Sequence, residues 1–398
     1  MPPVQTSASA RDVRQTGALR RIAVIGNHPP RVCGIATFTR DVVGGLTNLG
    51  CDVHLTAMDP VPDRAYPGRV SQIVASSDRD AHALAGRTIE AWSPDAVLIE
   101  HEFGIFGGAS GAWLLDMLGS ITAPIVVTLH TVLDELTPEQ ALVMDVLSKR
   151  ADRFIVMAHA GADILAGHGV PRDRIAVVPH GAPDRQYVDP TIARSRLGWV
   201  DVPTVLTFGL LSPGKGIEHA IDALPAILRR VPDARYVLVG ATHPHLFEAE
   251  GERYREALIA RANELSVAHA VVMVPRYVSD GELCDMLAAA DVYLTPYGNP
   301  AQITSGTLAY ALALGKPVVS TPYRHAREVL PASQLFPYAN SSALAERVVT
   351  MLADPLRREI LAMQTWAESR GTTWPAVARR TFDVLRSVTD TPALIAAE

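Results

Sequence analysis

Short apolar runs alternate with amphipathic stretches along almost the whole chain, and this alternation predicts a parallel α/β architecture. In the first half the runs predict strands at Arg21–Gly26, Val53–Ala57, Ala96–Glu100, Ile125–Leu129, Arg153–Val156 and Ile175–Val178. Helical spacing predicts helices between them, such as Thr37–Leu49, Ala81–Trp92 and Pro138–Ser148. Segments such as IAVIG and PIVVTL are apolar without a break, as strands buried on both faces of a parallel sheet must be. A second series predicts strands at Thr204–Phe208, Tyr236–Val239, Val271–Val274, Val292–Thr295 and Pro317–Ser320, with helices at Gly216–Arg230, Asp280–Ala290 and Thr307–Leu314. Between the series, the stretch DRQYVDPTIARSRLGWVDVPT is polar, carries two prolines and shows no period, so it reads as an interdomain connection. Two doubly wound domains follow from this pattern. In such sheets ligands bind beyond the carboxyl ends of the strands.

Composition narrows the chemistry. A length of 398 residues suits two domains. The formal net charge of −6 argues against a nucleic-acid binder, because phosphate backbones demand a basic face. Cys33, Cys51 and Cys284 are odd in number and lack metal-ligand spacing; a reduced, cytoplasmic setting fits them. No run approaches the ~20 apolar residues of a membrane span, which leaves only peripheral membrane contact open. The first twenty residues hold Arg11, Arg14 and Arg20 but no apolar run, so residues 1–20 read as a frayed tail rather than a secretory leader.

The strand ends carry the candidate chemistry. After the strand ending at Thr295, the run Thr304-Ser305-Gly306-Thr307 opens a helix. Free backbone N–H groups and the positive end of the helix dipole make that start an anion site, although Thr304 or Ser305 acting only as a helix cap explains the same residues. After Phe208, the loop Gly209–Gly216 also leads from strand to helix, with Lys215 flanked by Gly214 and Gly216. A lysine between glycines reaches a diphosphate without steric obstruction and neutralises charge as a leaving group departs. In the first half, Glu100, His101 and Glu102 follow the apolar VLI, and His130 follows VVTL. Titratable residues straight after a strand are expected to emerge beyond its end, so His101 and His130 are candidate catalytic residues and Glu102 a candidate base or acceptor ligand. Asp78-Arg79-Asp80 has a D-x-D form, but its place before AHALAG reads as a capped helix start rather than a metal site. No metal is expected.

These markers, in this order, resemble glycosyltransferase family 4, whose members have the GT-B fold. They are Cys33-Gly34-Ile35-Ala36-Thr37-Phe38, Thr128-Leu129-His130-Thr131, Pro179-His180-Gly181, Lys215-Gly216, and the segment from Tyr310 through Gly315-Lys316-Pro317-Val318-Val319. The resemblance implies two Rossmann-like domains facing across a cleft: an acceptor domain over 21–185, a donor domain over 186–373, and a closing helix over 374–398 that crosses back. It implies transfer of a mannose- or glucose-type hexose from a GDP- or UDP-sugar to a carbohydrate or other acceptor hydroxyl, with retention and without a cofactor. Gly34 then matches the glycine loop where backbone approaches the diphosphate, and His130 the histidine that reaches the transferred sugar. The sequence departs from the family at two places. The paired glutamates that precede the GKPVV segment are replaced by Gln302 and Tyr310, assigned here to sugar and ribose contacts. The arginine before the family's lysine is missing, with Leu210 near its place and Arg276 or Arg324 the nearest substitutes to consider. A non-catalytic GT-B protein and a sugar-nucleotide epimerase are the competing readings.

Overall fold

The structure, a computed structural model, describes residues 19–390 except 62, 63 and 67. Most of the expected tail, residues 1–18, therefore lies outside the described residues. Its last two positions are packed, which corrects that part of the expectation: Leu19 is buried, and the amides of Arg20 and Arg21 donate to Asp95 at 2.9 and 2.8 Å.

The chain divides into two compact units. The first holds the described residues up to Ile155, His168–Ala176 and those from Ala378 onward; the second holds Val156–Gly167 and Val177–Val377. The first sheet contains β1 (Arg21–Gly26), β2 (Asp52–Asp59), β3 (Gln72–Ala75), β4 (Ala96–His101), β5 (Ile125–Leu129), β6 (Arg153–Val156) and β7 (Ile175–Val177). Their order is β3-β2-β1-β4-β5-β6-β7, with β1 parallel to β2 and β4, and β5 parallel to β4 and β6. The winding reverses between β1 and β4. Strands β1, β4 and β5 are buried nearly throughout, as the apolar runs within them require. Strand β3 escapes sequence reading because it has four residues and only Val74 is buried.

The second sheet contains β8 (Thr204–Phe208), β9 (Arg235–Val239), β10 (Val271–Val274), β11 (Val292–Thr295) and β12 (Val318–Ser320), all parallel, in the order β10-β9-β8-β11-β12. Here the winding reverses between β8 and β11. The Ile217–Arg230 helix buries Ile217, Ala220, Ile221, Leu224 and Ile227, the spacing of one helical face.

The polar stretch 184–204 is not a bare connection. It contains the helix Pro190–Leu197, capped by the Asp189 carboxylate at one end and by left-handed Gly198 at the other. Only Ala193 and Arg194 of that helix are buried, so no apolar period shows in the sequence. Arg194 reaches Asp291 at 2.9 Å, and Asp291 also accepts from the Thr204 amide at 2.8 Å, tying this helix to the starts of β8 and β11. Nearby, Lys316 is fully buried, donating to the carbonyls of Ala288 and Ala290 at 2.8 and 3.0 Å; burial pushes its ammonium down to about 7. No helix among the described residues is long and apolar enough to cross a membrane.

Candidate active site

In the second unit, the loops after β8 and β11 flank the winding reversal, where a doubly wound sheet takes its ligand. These are the loops that carry Lys215 and the Thr304–Thr307 helix start. They are fastened together: the Gly298 amide donates to the Gly214 carbonyl at 3.1 Å. Gly216 packs so tightly that a Cβ there would stand 2.0 Å from the Pro296 carbonyl oxygen, and its φ is +62°. Glycine is required at 216 on both counts. A Cβ on Gly214 would meet nothing within 4 Å, so the space beside Lys215 is open on that side.

Lys215 ends a short turn, Pro213–Lys215, and its Nζ lies 4.0 Å from the centre of the Tyr297 ring. The negative ring face holds the ammonium over the β11 loop. The Tyr297 hydroxyl and Thr307 Oγ1 share a hydrogen bond of 2.7 Å, and Thr307 Oγ1 lies 3.1 Å from Ser305 Oγ. An ammonium, a phenol and two hydroxyls thus form one connected array across the two loops.

Ser305 caps the Gly306–Ala313 helix through its Oγ, which accepts from the Leu308 amide at 3.2 Å. Its own amide donates to His325 Nδ1 at 3.0 Å. Burial pushes His325 down to about 4, so at neutral pH its ring is uncharged and can accept that bond. The His325 amide donates to the Gln302 carbonyl at 3.1 Å, clamping the same turn from the other side. The amides of Gly306 and Thr307 stand in the first turn, where a helix has no internal partner for its N–H groups. His180 stands against this start: a Cβ on Gly306 would lie 2.7 Å from His180 Nε2. His180 Nδ1 donates to the Gly181 carbonyl at 2.7 Å, which orients the ring. In the sequence His180 stands only as part of the Pro179-His180-Gly181 marker, and packing alone brings it beside the anion-competent turn.

The other residues expected to bind the donor are placed as follows. Gln302 donates from Nε2 to the Thr304 carbonyl at 3.0 Å, so its amide braces its own turn, and Thr304 is half-buried within it. Tyr310 packs its ring 6.2 Å from that of Phe208, at the edge of the aromatic core. Arg276 is occupied by Glu282, donating to its carboxylate at 3.0 Å, and does not join Lys215. Arg324 opens the Arg324–Val329 helix, its amide donating to Pro300 at 3.1 Å.

In the first unit the loops after β1 and β4 flank the reversal. Gly34 begins the Gly34–Asn48 helix, and a Cβ there would meet no atom of the described residues within 4 Å. The loop before it is braced: Asn27 donates to Cys33 Sγ at 3.3 Å, and Arg31 donates to Asn27 Oδ1 at 2.9 Å. Cys33 serves as the helix cap, its sulfur accepting from the Ala36 amide.

His130 follows β5 with its side chain 10% exposed, and its Nε2 lies 2.8 Å from Glu100 Oε2. Phe38 meets the ring edge-on at 4.7 Å. Glu102 is half-buried and accepts a short hydrogen bond from the Thr131 hydroxyl, joining the loops after β4 and β5.

His101 corrects the expectation made for it. Strand β4 continues through position 101, where His101 pairs with Leu129, so this residue is fully buried rather than emerging beyond the sheet. Its ring stacks on Phe106 at 5.9 Å and meets Phe103 edge-on at 5.1 Å, and neither ring nitrogen has a hydrogen-bond partner among the described residues. Burial pushes it down to about 3, so it is a neutral core residue at physiological pH. Glu100 is a further residue not singled out from the sequence, where its signal is a carboxylate directly after the apolar run Ala96–Ile99 of the same strand. Asp78 caps the Arg79–Trp92 helix, accepting from the amides of Asp80 and Ala81, which accounts for the D-x-D motif.

Comparison with known proteins follows the same division. Residues 32–186 match the model for Glycosyltransferase Family 4, and residues 202–354 match that for Glycosyl transferases group 1. A GDP-mannose-dependent alpha-(1-6)-phosphatidylinositol monomannoside mannosyltransferase of Mycolicibacterium smegmatis is 32% identical over 44% of this chain and 45% of its own length. A Corynebacterium glutamicum mannosyltransferase is 27% identical over 51% of its length, so the chain spans about half of these two curated relatives. A D-inositol 3-phosphate glycosyltransferase of Kineococcus radiotolerans is 25% identical over 94% of this chain and 97% of its own. Among solved structures, sucrose-phosphate synthase from Thermosynechococcus elongatus superposes with a TM-score of 0.75 at 18% identity, covering 93% of this chain and 99% of that one. HepE of Anabaena, solved in complex with UDP, gives 0.74 at 18% identity, covering 92% and 100%. The fold is GT-B.

Proposed function

We propose that this chain is a family 4 glycosyltransferase, which transfers a hexose from a nucleoside-diphosphate sugar to an acceptor hydroxyl with retention of configuration. One observation carries this reading: Lys215 and the Ser305–Thr307 helix start, predicted separately as phosphate-competent, are joined through Tyr297 at the winding reversal of the second sheet. A diphosphate leaving group gathers negative charge as the glycosidic bond breaks. An ammonium and a helix N-terminus fixed beforehand stabilise that charge without reorganising. His130 acts on the transferred sugar, and the departing phosphate takes the acceptor's proton, so no protein nucleophile is called for. With Leu210 where the family places arginine, Lys215 supplies the cation of this loop.

Relatives named as GDP-mannose-dependent favour a GDP-mannose donor, and the UDP and UDP-glucose complexes of HepE keep UDP-glucose as its competitor. The acceptor is a carbohydrate or polyol hydroxyl. Calorimetry with GDP and UDP, followed by a nucleotide-sugar panel with Lys215→Ala alongside, tests the reading. One nucleotide is expected to bind, and the variant's kcat is expected to fall on the order of 10²-fold. Failure of both nucleotides to bind would leave a non-catalytic GT-B protein. Consumption of donor to an epimer without acceptor would make it an epimerase.

A further inference from the structure

We propose that Glu100 is a positioning residue that holds the proton on His130 Nε2, so that Nδ1 is the nitrogen offered to the substrate. This rests on the reading that His130 acts on the transferred sugar. Glu100 sits in β4, an interior strand flanked by β1 and β5, and is fully buried. A carboxylate in such a place is costly unless it is paired and hydrogen-bonded. Its contacts are His130 Nε2 at 2.8 Å and, more distantly, the Thr128 hydroxyl at 3.5 Å. The backbone makes room for it: a Cβ on Gly26 would come 2.9 Å from Glu100 Cβ, so alanine at 26 would push the carboxylate off the imidazole.

A carboxylate oxygen accepts, so Nε2 carries the hydrogen and Nδ1 is the free ring nitrogen. No hydrogen bond to Nδ1 is found among the described residues. With Glu100 on one side and Phe38 edge-on at 4.7 Å, both the tilt and the tautomer of the ring are set before any ligand arrives. The neighbouring His101 is neutral at physiological pH and offers Glu100 no competing charge. A leucine at 100 would fill the core equally well; only an acceptor at that depth selects the tautomer. An Nδ1 lone pair accepts a hydrogen bond from a sugar hydroxyl, whereas an Nδ1–H would turn the same position into a donor.

Glu100→Gln tests this directly. Its side-chain amide can donate to Nε2 as well as accept from it, so the fixed preference for a hydrogen on Nε2 is lost. In ¹⁵N spectra of the full chain, with His130→Gln used to assign the ring, the wild type is expected to show protonated Nε2 and Glu100→Gln a mixture with a substantial share of protonated Nδ1. Transfer kcat is expected to fall roughly 10- to 100-fold through the lost alignment, with nucleotide affinity unchanged. Glu100→Asp, which keeps an acceptor, is expected to restore the tautomer and part of the rate, and serves as the informative variant if the glutamine form does not fold. Wild-type turnover in Glu100→Gln, or lost turnover with the wild-type tautomer, overturns the proposal. If His130→Ala turns over normally, the assignment of His130 falls and the proposal with it; if His130→Ala is inactive and Glu100→Gln is not, the proposal alone falls.

Discussion

Gly214 and Gly216 flank the same lysine, yet replacing each with alanine should give opposite results. At 216 the backbone is left-handed, with φ +62°, which costs an L-residue roughly 1–2 kcal/mol. The new Cβ would also stand 2.0 Å from the Pro296 carbonyl, where ordinary contact begins at 3.4 Å, so the β11 loop must retreat by more than an ångström. Overpacking of that kind costs about 1–3 kcal/mol. Loss of glycine's freedom in the unfolded chain returns about 0.4–1 kcal/mol. The net expectation for Gly216→Ala is a loss of about 2–4 kcal/mol, or roughly 5–15 °C in apparent Tm. Since Tyr297 follows Pro296 and carries the Lys215 ammonium on its ring, turnover should fall as well. Gly214→Ala meets nothing within 4 Å and should stay within about 0.5 kcal/mol of wild type, while weakening nucleotide-diphosphate binding roughly tenfold by filling the open side of the loop. Calorimetric scans of the three proteins, with nucleotide titrations, make the comparison. Equal stability in both variants would refute the packing argument, and undiminished nucleotide affinity in Gly214→Ala would refute the ligand placement.

Gly306→Ala brings a methyl to within 2.7 Å of His180 Nε2, at a ring held by Gly181 and packed 5.8 Å from Trp374. Helix propensity gains up to about 1 kcal/mol there, so stability should hold while nucleotide affinity drops roughly tenfold; unchanged titration curves would show that this helix start does not meet the ligand. His101→Leu should leave turnover intact and reduce acid sensitivity. The folded-state value of about 3 lies below the ordinary 6.5, so the unfolded chain takes up the proton first. Its contribution is fully present above pH 6.5 and is lost as pH falls toward 3, at up to about 1.4 kcal/mol per unit. Coincident acid-unfolding curves for the two proteins would contradict this.

The periodicity of the chain was enough to set eleven of its strands, the doubly wound class and the two glycine-bearing loops of the second unit. Burial on both faces of a parallel sheet leaves an unbroken apolar run that needs no tertiary knowledge to read. Strand β3 and the Pro190–Leu197 helix were hidden because each buries too few side chains to imprint a period. The site was legible only as a set of strand ends. Lys215 and Ser305–Thr307 lie some ninety positions apart in sequence, and only the β8–β11 pairing makes them neighbours. Glu100, His101 and Glu102 are consecutive, yet one braces a histidine, one fills the core and one bonds a threonine in the next loop. Side chains along a strand point to opposite faces, and where the strand stops is set by its pairing with β5. Sequence shows which residues arrive at the end of a strand, and pairing with neighbours decides which of them leaves it.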